Sequence, residues 1–204
     1  EIAVGPPNPA TTLLFWAFLG VIGALAALQQ RHVTGKGCVI DTSLLDSAAS
    51  WVDSSLATYH ITQELSPRTG AATPTIVPYQ AFETADHPLV IAAGYDRLFH
   101  KLAAVLGFPE WCTDPRFAKG RDRFVHRDTL IGLLKPVLLT KTRAEWLAAF
   151  EAVGVPCSPV NTIAELQQTE QFKASDLIRT LPGSELPVVG LPISFDGERP
   201  HPHS

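Results

Sequence analysis

The chain has 204 residues, 46% hydrophobic and 18% charged, enough apolar material for one ordinary domain or two small ones. A formal charge of −4 without a Lys/Arg-rich run argues against a nucleic-acid or other polyanion-binding role. Cys38, Cys112 and Cys157 are far apart and fit no zinc spacing, so they read as small buried hydrophobes in a reducing compartment, and a cytoplasmic location is expected.

The chain opens on Glu1 and contains no Met, which suggests a piece of a longer polypeptide. Gly5-Pro6-Pro7-Asn8-Pro9 reads as a linker or loop. Leu13 to Leu28 is then an uncharged run of 16 residues, continuing as a helical pattern to His32. A membrane span needs about 20 apolar residues, and no basic segment precedes this one. Gly20, Gly23, Ala24, Ala26 and Ala27 would let another backbone approach, so a helix buried against a sheet or another helix is expected. Gly35 and Gly37 suit its C-terminal cap and the turn beyond. Cys38-Val39-Ile40 reads as a short extended piece, and Asp41, Thr42 or Ser43 can cap a long helix over Leu44–Gln63.

Leu65 to Pro74 breaks all regularity, with Gly70 at its centre. Two alternating segments, Pro78–Thr84 and Pro88–Gly94, flank a turn at Ala85-Asp86-His87 and predict a hairpin. Asp96 caps a helix that runs to Leu106 and stops at Gly107-Phe108-Pro109. A further helix is expected over Arg121–Leu139. Another spans Thr142–Val153, with Trp146, Leu147, Phe150 and Val153 on one face. Val155 to Asn161 reads as a strand entering a short helix. A frayed helix from Gln171 and extended pieces at Ile178–Leu181 and Leu186–Ser194 finish the chain. His201 and His203 are expected to be solvent-exposed.

Five stretches carry a more specific message. Arg31-His32-Val33-Thr34-Gly35-Lys36-Gly37-Cys38-Val39-Ile40-Asp41, followed by Ser43-Leu44-Leu45-Asp46, resembles the R-x-x-T-G-K/R-G-Q-x-V-D-x-S-L-L-D signature of the family III CoA-transferases. That group includes formyl-CoA, carnitine and succinyl-CoA transferases and the α-methylacyl-CoA racemases. Cys38 stands where the family usually has Gln. Pro78–Asp96 is similar to a second family stretch, with His87 in place of the usual Gly. Glu110–Phe117, Arg123–Leu130 and Val155–Asn161 match the family's "DpRF", "RvxNRxeL" and "agVPagPVnt" segments in order. The resemblance runs from about Ala24 to Gly197.

The resemblance alone implies a fold, a partner and a reaction. The fold would be α/β: residues 1–66 as helices ending a Rossmann-like large domain, 67–165 as a small α/β domain with an antiparallel sheet, and 166–204 as a return segment. The family forms interlocked dimers, so an interlocked homodimer, or a companion chain carrying the N-terminal half, is the implied partner. The reaction would move CoA between carboxylic acids through an aspartyl-CoA intermediate. Its substrates would be an acyl-CoA and a carboxylic acid, with coenzyme A thioester as substrate and no covalently bound cofactor, metal, nucleic acid or membrane partner. The nucleophilic aspartate of the family aligns with Leu13, and no Asp or Glu occurs from Ile2 to Ile40. No catalytic residue is therefore assigned. The candidate substrate-binding positions are Gly70, for the family's glycine-rich loop, and Asp96, where the racemase branch carries an acidic residue. Two further readings stand beside the transferase: an α-methylacyl-CoA racemase-like protein, and a non-catalytic interaction subunit of the same fold.

Overall fold

A computed structural model describes residues 9–65, 69–181, 183 and 185–200. Gly5–Asn8 of the expected linker, Ser66–Arg68 of the irregular connection, and both His201 and His203 lie outside them. The chain divides into two compact units, Glu1–Pro74 and Thr75–Ser204.

The first unit is helical. Helix α1 (Pro9–Thr34) starts four residues earlier than its apolar run suggests. Its Pro9-Ala10-Thr11-Thr12 start suits a first helical turn, where a proline nitrogen has no bond to lose. Gly35, at φ +68°, succeeds its last residue, and the Gly35 N–H donates to Arg31 O at 2.8 Å. The expected single helix over Leu44–Gln63 is two, α2 (Leu44–Trp51) and α3 (Asp53–Thr62), separated at Val52. Among the three possible caps Ser43 is used: its hydroxyl accepts from Asp46 N at 3.0 Å. Cys38–Ile40 forms no strand.

Contacts between α1 and the rest of its unit are few but specific. Phe15 meets Trp51 edge-on at 5.0 Å, and Trp16 Nε1 donates to Thr42 O at 3.2 Å. A Cβ on Gly23 would come within 3.1 Å of Ile40 Cγ2, so one of the helix's small residues does admit a close neighbour. The expectation of a buried helix is nevertheless corrected. Leu14, Phe18, Val21, Ile22 and Leu25 are all exposed, outside the contacts that α1 makes with Ile40, Thr42 and Trp51. By length and composition Thr11–Thr34 could also cross a membrane.

The second unit carries the core. Strands β1 (Tyr79–Phe82) and β2 (Leu89–Ala92) form the expected hairpin, with Tyr79 opposite Ala92 and Phe82 opposite Leu89. Strand β3 (Cys157–Pro159) adds antiparallel to β2, giving the order β1-β2-β3. Leu89 and Ile91 alternate onto the buried face of β2. Helix α4 (Asp96–Leu106) sets Phe99, Leu102, Ala103 and Leu106 in the core at the three-and-four spacing of one helical face. A short 3₁₀ turn, Pro109–Cys112, stacks Trp111 on Phe108. The expected helix over Arg121–Leu139 divides at His126 into α5 (Gly120–Val125) and α6 (Arg127–Leu138), and Leu130, Leu134 and Leu138 of α6 are fully buried.

Helix α7 (Arg143–Val153) begins with a Thr142/Glu145 capping box and ends at Gly154, φ +70°. Its Trp146 stacks on Phe150 and donates to Leu138 O at 2.8 Å, joining α7 to the end of α6. Short helices α8 (Ile163–Gln168) and α9 (Glu170–Ala174) come next. A separate hairpin, β4 (Ile178–Thr180) with β5 (Pro187–Val189), closes the described chain.

The exit from β2 leaves room for nothing larger than glycine. A Cβ built on Gly94 would lie 1.9 Å from Ile76 Cγ2. Gly94→Ala is therefore expected to destabilise the second unit by on the order of 1–3 kcal/mol, as overpacking does. Adding Ile76→Ala should recover part of that loss in urea unfolding. Independent, additive effects of the two changes would contradict the packing described.

Candidate active-site segment around Asp96

Strand β2 delivers Ala93-Gly94-Tyr95 to the start of α4, and Asp96 is the first residue of that helix. It does not cap the helix as expected. Tyr95 occupies the cap position, and its carbonyl accepts from Leu98 N and Phe99 N at 2.9 Å each. The Asp96 side chain instead turns to the segment at the head of α5. Its Oδ1 accepts from Gly120 N and from Arg123 Nη2, both at 2.9 Å, while Lys119 Nζ stands 3.7 Å from Oδ2.

Arg123 is the group that sequence reading did not single out. It sits in the family-like Arg123-Phe124-Val125-His126-Arg127 run, yet nothing in that run signals burial. The structure buries it completely. Removing a guanidinium from water costs several kcal/mol unless its donors are met. Here Nε donates to Val77 O (3.1 Å), Nη1 to Phe117 O (2.8 Å), and Nη2 to both Gly94 O (2.6 Å) and Asp96 Oδ1 (2.9 Å). The cation also lies 4.5 Å above the Phe99 ring. One side chain thus ties the entry to β1, the exit of β2, the head of α4 and the approach to α5.

This network sets the electrostatics. Burial pushes the Asp96 carboxyl up, but the hydrogen bond and charge of Arg123, the Gly120 N–H and Lys119 outweigh it and hold the group below the usual carboxylate range. Asp86 has a parallel role in the β1–β2 turn. Its Oδ1 accepts from Arg143 N at 2.7 Å and His87 N at 2.8 Å, and these with the Thr84 hydroxyl hold it at about 2. It thereby supplies a partner for the first N–H of α7.

The other sequence candidates, Leu13 and Gly70, belong to the first unit. Leu13 is the fifth residue of α1, counting Pro9 as the first, and is 52% exposed. It therefore lies beyond the four free N–H groups of a helix start, not at the helix N-terminus. Gly70 lies in the other unit as well, at φ +59° in a turn where Ala72 N donates to Thr69 O at 3.0 Å. No cluster of three metal-ligating side chains occurs among the described residues. A concavity of about 500 Å³ lined by Arg143, Asn161, Glu165 and Thr169 lies elsewhere, but Arg143 and Glu165 already pair across it at 2.8 Å.

The model of CoA-transferase family III matches residues 6–204. The chain belongs to that family. Among its relatives, the acetyl-CoA:oxalate CoA-transferase of Acetobacter aceti is 34% identical over 180 residues, covering 88% of this chain and 46% of the relative. The succinyl-CoA:glutarate CoA-transferase of Homo sapiens is 32% identical, covering 90% and 41%. A CaiB/BaiF family protein from Brucella suis has a TM-score of 0.75 at 33% identity, covering 98% of this chain and 51% of the other. This chain spans about half the length of the family III relatives it matches, and the matching fold has the α/β content and antiparallel sheets described above.

The Asp96 carboxylate yields a pH prediction with a definite sign. Its folded-state pKa is lowered, so its stabilisation is present above the ordinary value of about 4 and is lost as pH falls below that. Asp96→Asn is expected to unfold at lower urea than the parent chain at pH 7. The gap should narrow as pH drops from about 4 toward 2. A gap independent of pH would show that the carboxylate charge is not what holds Arg123.

Proposed function

We propose that this chain is the C-terminal part of a family III CoA-transferase that moves CoA between carboxylic acids. The large domain would be Rossmann-like, and the partner would be a second copy in an interlocked homodimer or a companion chain carrying the N-terminal half. Membership of the whole chain in the family carries this reading. The named relatives act on oxalate and glutarate, so a short dicarboxylic acid is the acceptor we favour. Their names also favour the transferase over an α-methylacyl-CoA racemase.

In such a reaction an enzyme carboxylate attacks the acyl-CoA carbonyl, giving a mixed anhydride and releasing CoA thiolate. The thiolate then attacks the enzyme's own carbonyl, forming the aspartyl-CoA thioester and freeing the first acid. The second acid's carboxylate attacks the aspartyl-CoA carbonyl, forming a new mixed anhydride and expelling CoA thiolate, which then attacks the second acid's carbonyl to give the new acyl-CoA and free the enzyme carboxylate. Covalent catalysis divides one hard acyl transfer into easier steps. CoA carries the group, while the protein orients it. Gly70 and Asp96 are the substrate-binding positions assigned in this chain, Gly70 as a turn that tolerates close backbone approach and Asp96 as a fixed carboxylate.

The nucleophile is not in this chain on our reading. Leu13 holds the aligned position, and no acidic residue occupies the first turn of α1. The same fact favours a second reading, a non-catalytic subunit of the same fold. An apolar α1 is consistent with packing against the missing half, and a cytoplasmic setting fits both readings.

Incubated alone with succinyl-CoA, the chain is expected to form no acyl or CoA adduct detectable by intact-mass spectrometry. Combined with an N-terminal family III half, it should support CoA transfer if that half supplies the carboxylate, or only after Leu13→Asp if it does not. An adduct on the unmodified chain alone would overturn the assignment of Leu13. Failure of both pairs would favour the non-catalytic subunit.

A further inference from the structure

Val155 is the last buried residue among those described, and none from Thr162 onward joins the hydrophobic core. Burial of apolar surface is the main tie between an element and its unit, so a stretch without it is among the first to open. Within itself this stretch is well connected. Thr169 ends α8 and caps α9, accepting from Phe172 N at 3.3 Å. Arg179 pairs with Asp176 at 2.6 Å, tying the turn after α9 to β4. Gln167, Phe172, Lys173 and Ile178, from α8, α9 and β4, line a common concavity of about 240 Å³.

The stretch leaves the rest of the second unit at Asn161-Thr162, and Arg143 straddles that joint. Its backbone N–H is held by Asp86 at the start of α7. Its Nη1 donates to Val160 O at 2.9 Å before the joint, and its Nη2 to Glu165 Oε1 at 2.8 Å beyond it. The Thr162 N–H, Arg143 and the Thr162 hydroxyl hold the Glu165 carboxyl at about 2, so the pair is charged across the physiological pH range. Both side chains keep some solvent contact, and an ion pair of that kind is weak. The concavity of about 500 Å³ lined by Arg143, Asn161, Glu165 and Thr169 lies at this joint. We propose that residues 163–200 form an arm that pivots as one body on Asn161-Thr162, with the Arg143–Glu165 ion pair as its latch. Opening of the arm takes the carboxylate away from Arg143 and widens the concavity. The device is the same in a transferase and in a non-catalytic subunit.

The test is the measurement of amide residual dipolar couplings for the 204-residue chain in a neutral, weakly aligning gel. Couplings from β2, α4 and α6 are expected to fit one alignment, and those from α8, α9, β4 and β5 a single, weaker one of their own. Glu165→Gln keeps the capping box of α8 but removes the charge. It should cause a further loss of the arm's alignment and leave that of the core unchanged. Arg143→Gln, whose backbone N–H still meets Asp86, should do the same. Unchanged core couplings would show that each variant still folds. One alignment shared by arm and core would overturn the pivot. Arm couplings that fit no single alignment would mean separate fraying of its elements, and would overturn it as well. An arm whose alignment neither substitution changes would overturn the latch.

Discussion

A guanidinium without solvent contact organises the second unit. Arg123 meets backbone carbonyls of Val77, Phe117 and Gly94 and the carboxylate of Asp96, and lies over the Phe99 ring. These groups belong to segments far apart in sequence, so no local preference could bring them together. A buried charge stripped of one partner destabilises a fold far more than an exposed pair supports it. The arrangement of β1, β2, α4 and α5 is thus specified by one residue whose donors must all be satisfied together. Hydrophobic burial of Phe99, Leu102, Leu130 and Leu134 supplies the bulk of the stability, but it is less directional.

The first unit poses the opposite physical situation. Helix α1 turns Leu14, Phe18, Val21, Ile22 and Leu25 outward, more apolar surface than one side contact with α2 can cover. Its family relatives extend over about twice this chain's length. The second unit, by contrast, builds its fixed polar segment around Asp96 wholly from its own residues.

Much of this was readable from the residues. The hairpin at Pro78–Gly94 and the span of α7 are carried by local turn and periodicity chemistry, while the family is carried by the resemblance of Arg31–Asp46 to its signature. The breaks at Val52 and His126 are not, because neither residue is a helix breaker by type and only the backbone shows them, at φ −103° and ψ 17° for Val52 and φ −101° and ψ 28° for His126. The start of α1 was misplaced because apolar patterning cannot see Pro9-Ala10-Thr11-Thr12, which form a polar and proline-led first turn. Asp96 was found as a position but misread as a cap. Its real partner, Arg123, lies 27 residues away, and that pairing exists only in three dimensions. The exposure of α1 was likewise hidden, since an apolar run predicts burial without saying what does the burying.

The most direct test of this account is the hydrogen exchange of the Arg123 Nε–H, observed by side-chain ¹⁵N NMR. A buried donor bound to the Val77 carbonyl should exchange only through opening of the unit, as slowly as the core amides of β2. An Nε–H that exchanges at the rate of the exposed Arg97 or Arg121 side chains would mean that Arg123 is wet and does not hold the Asp96 segment.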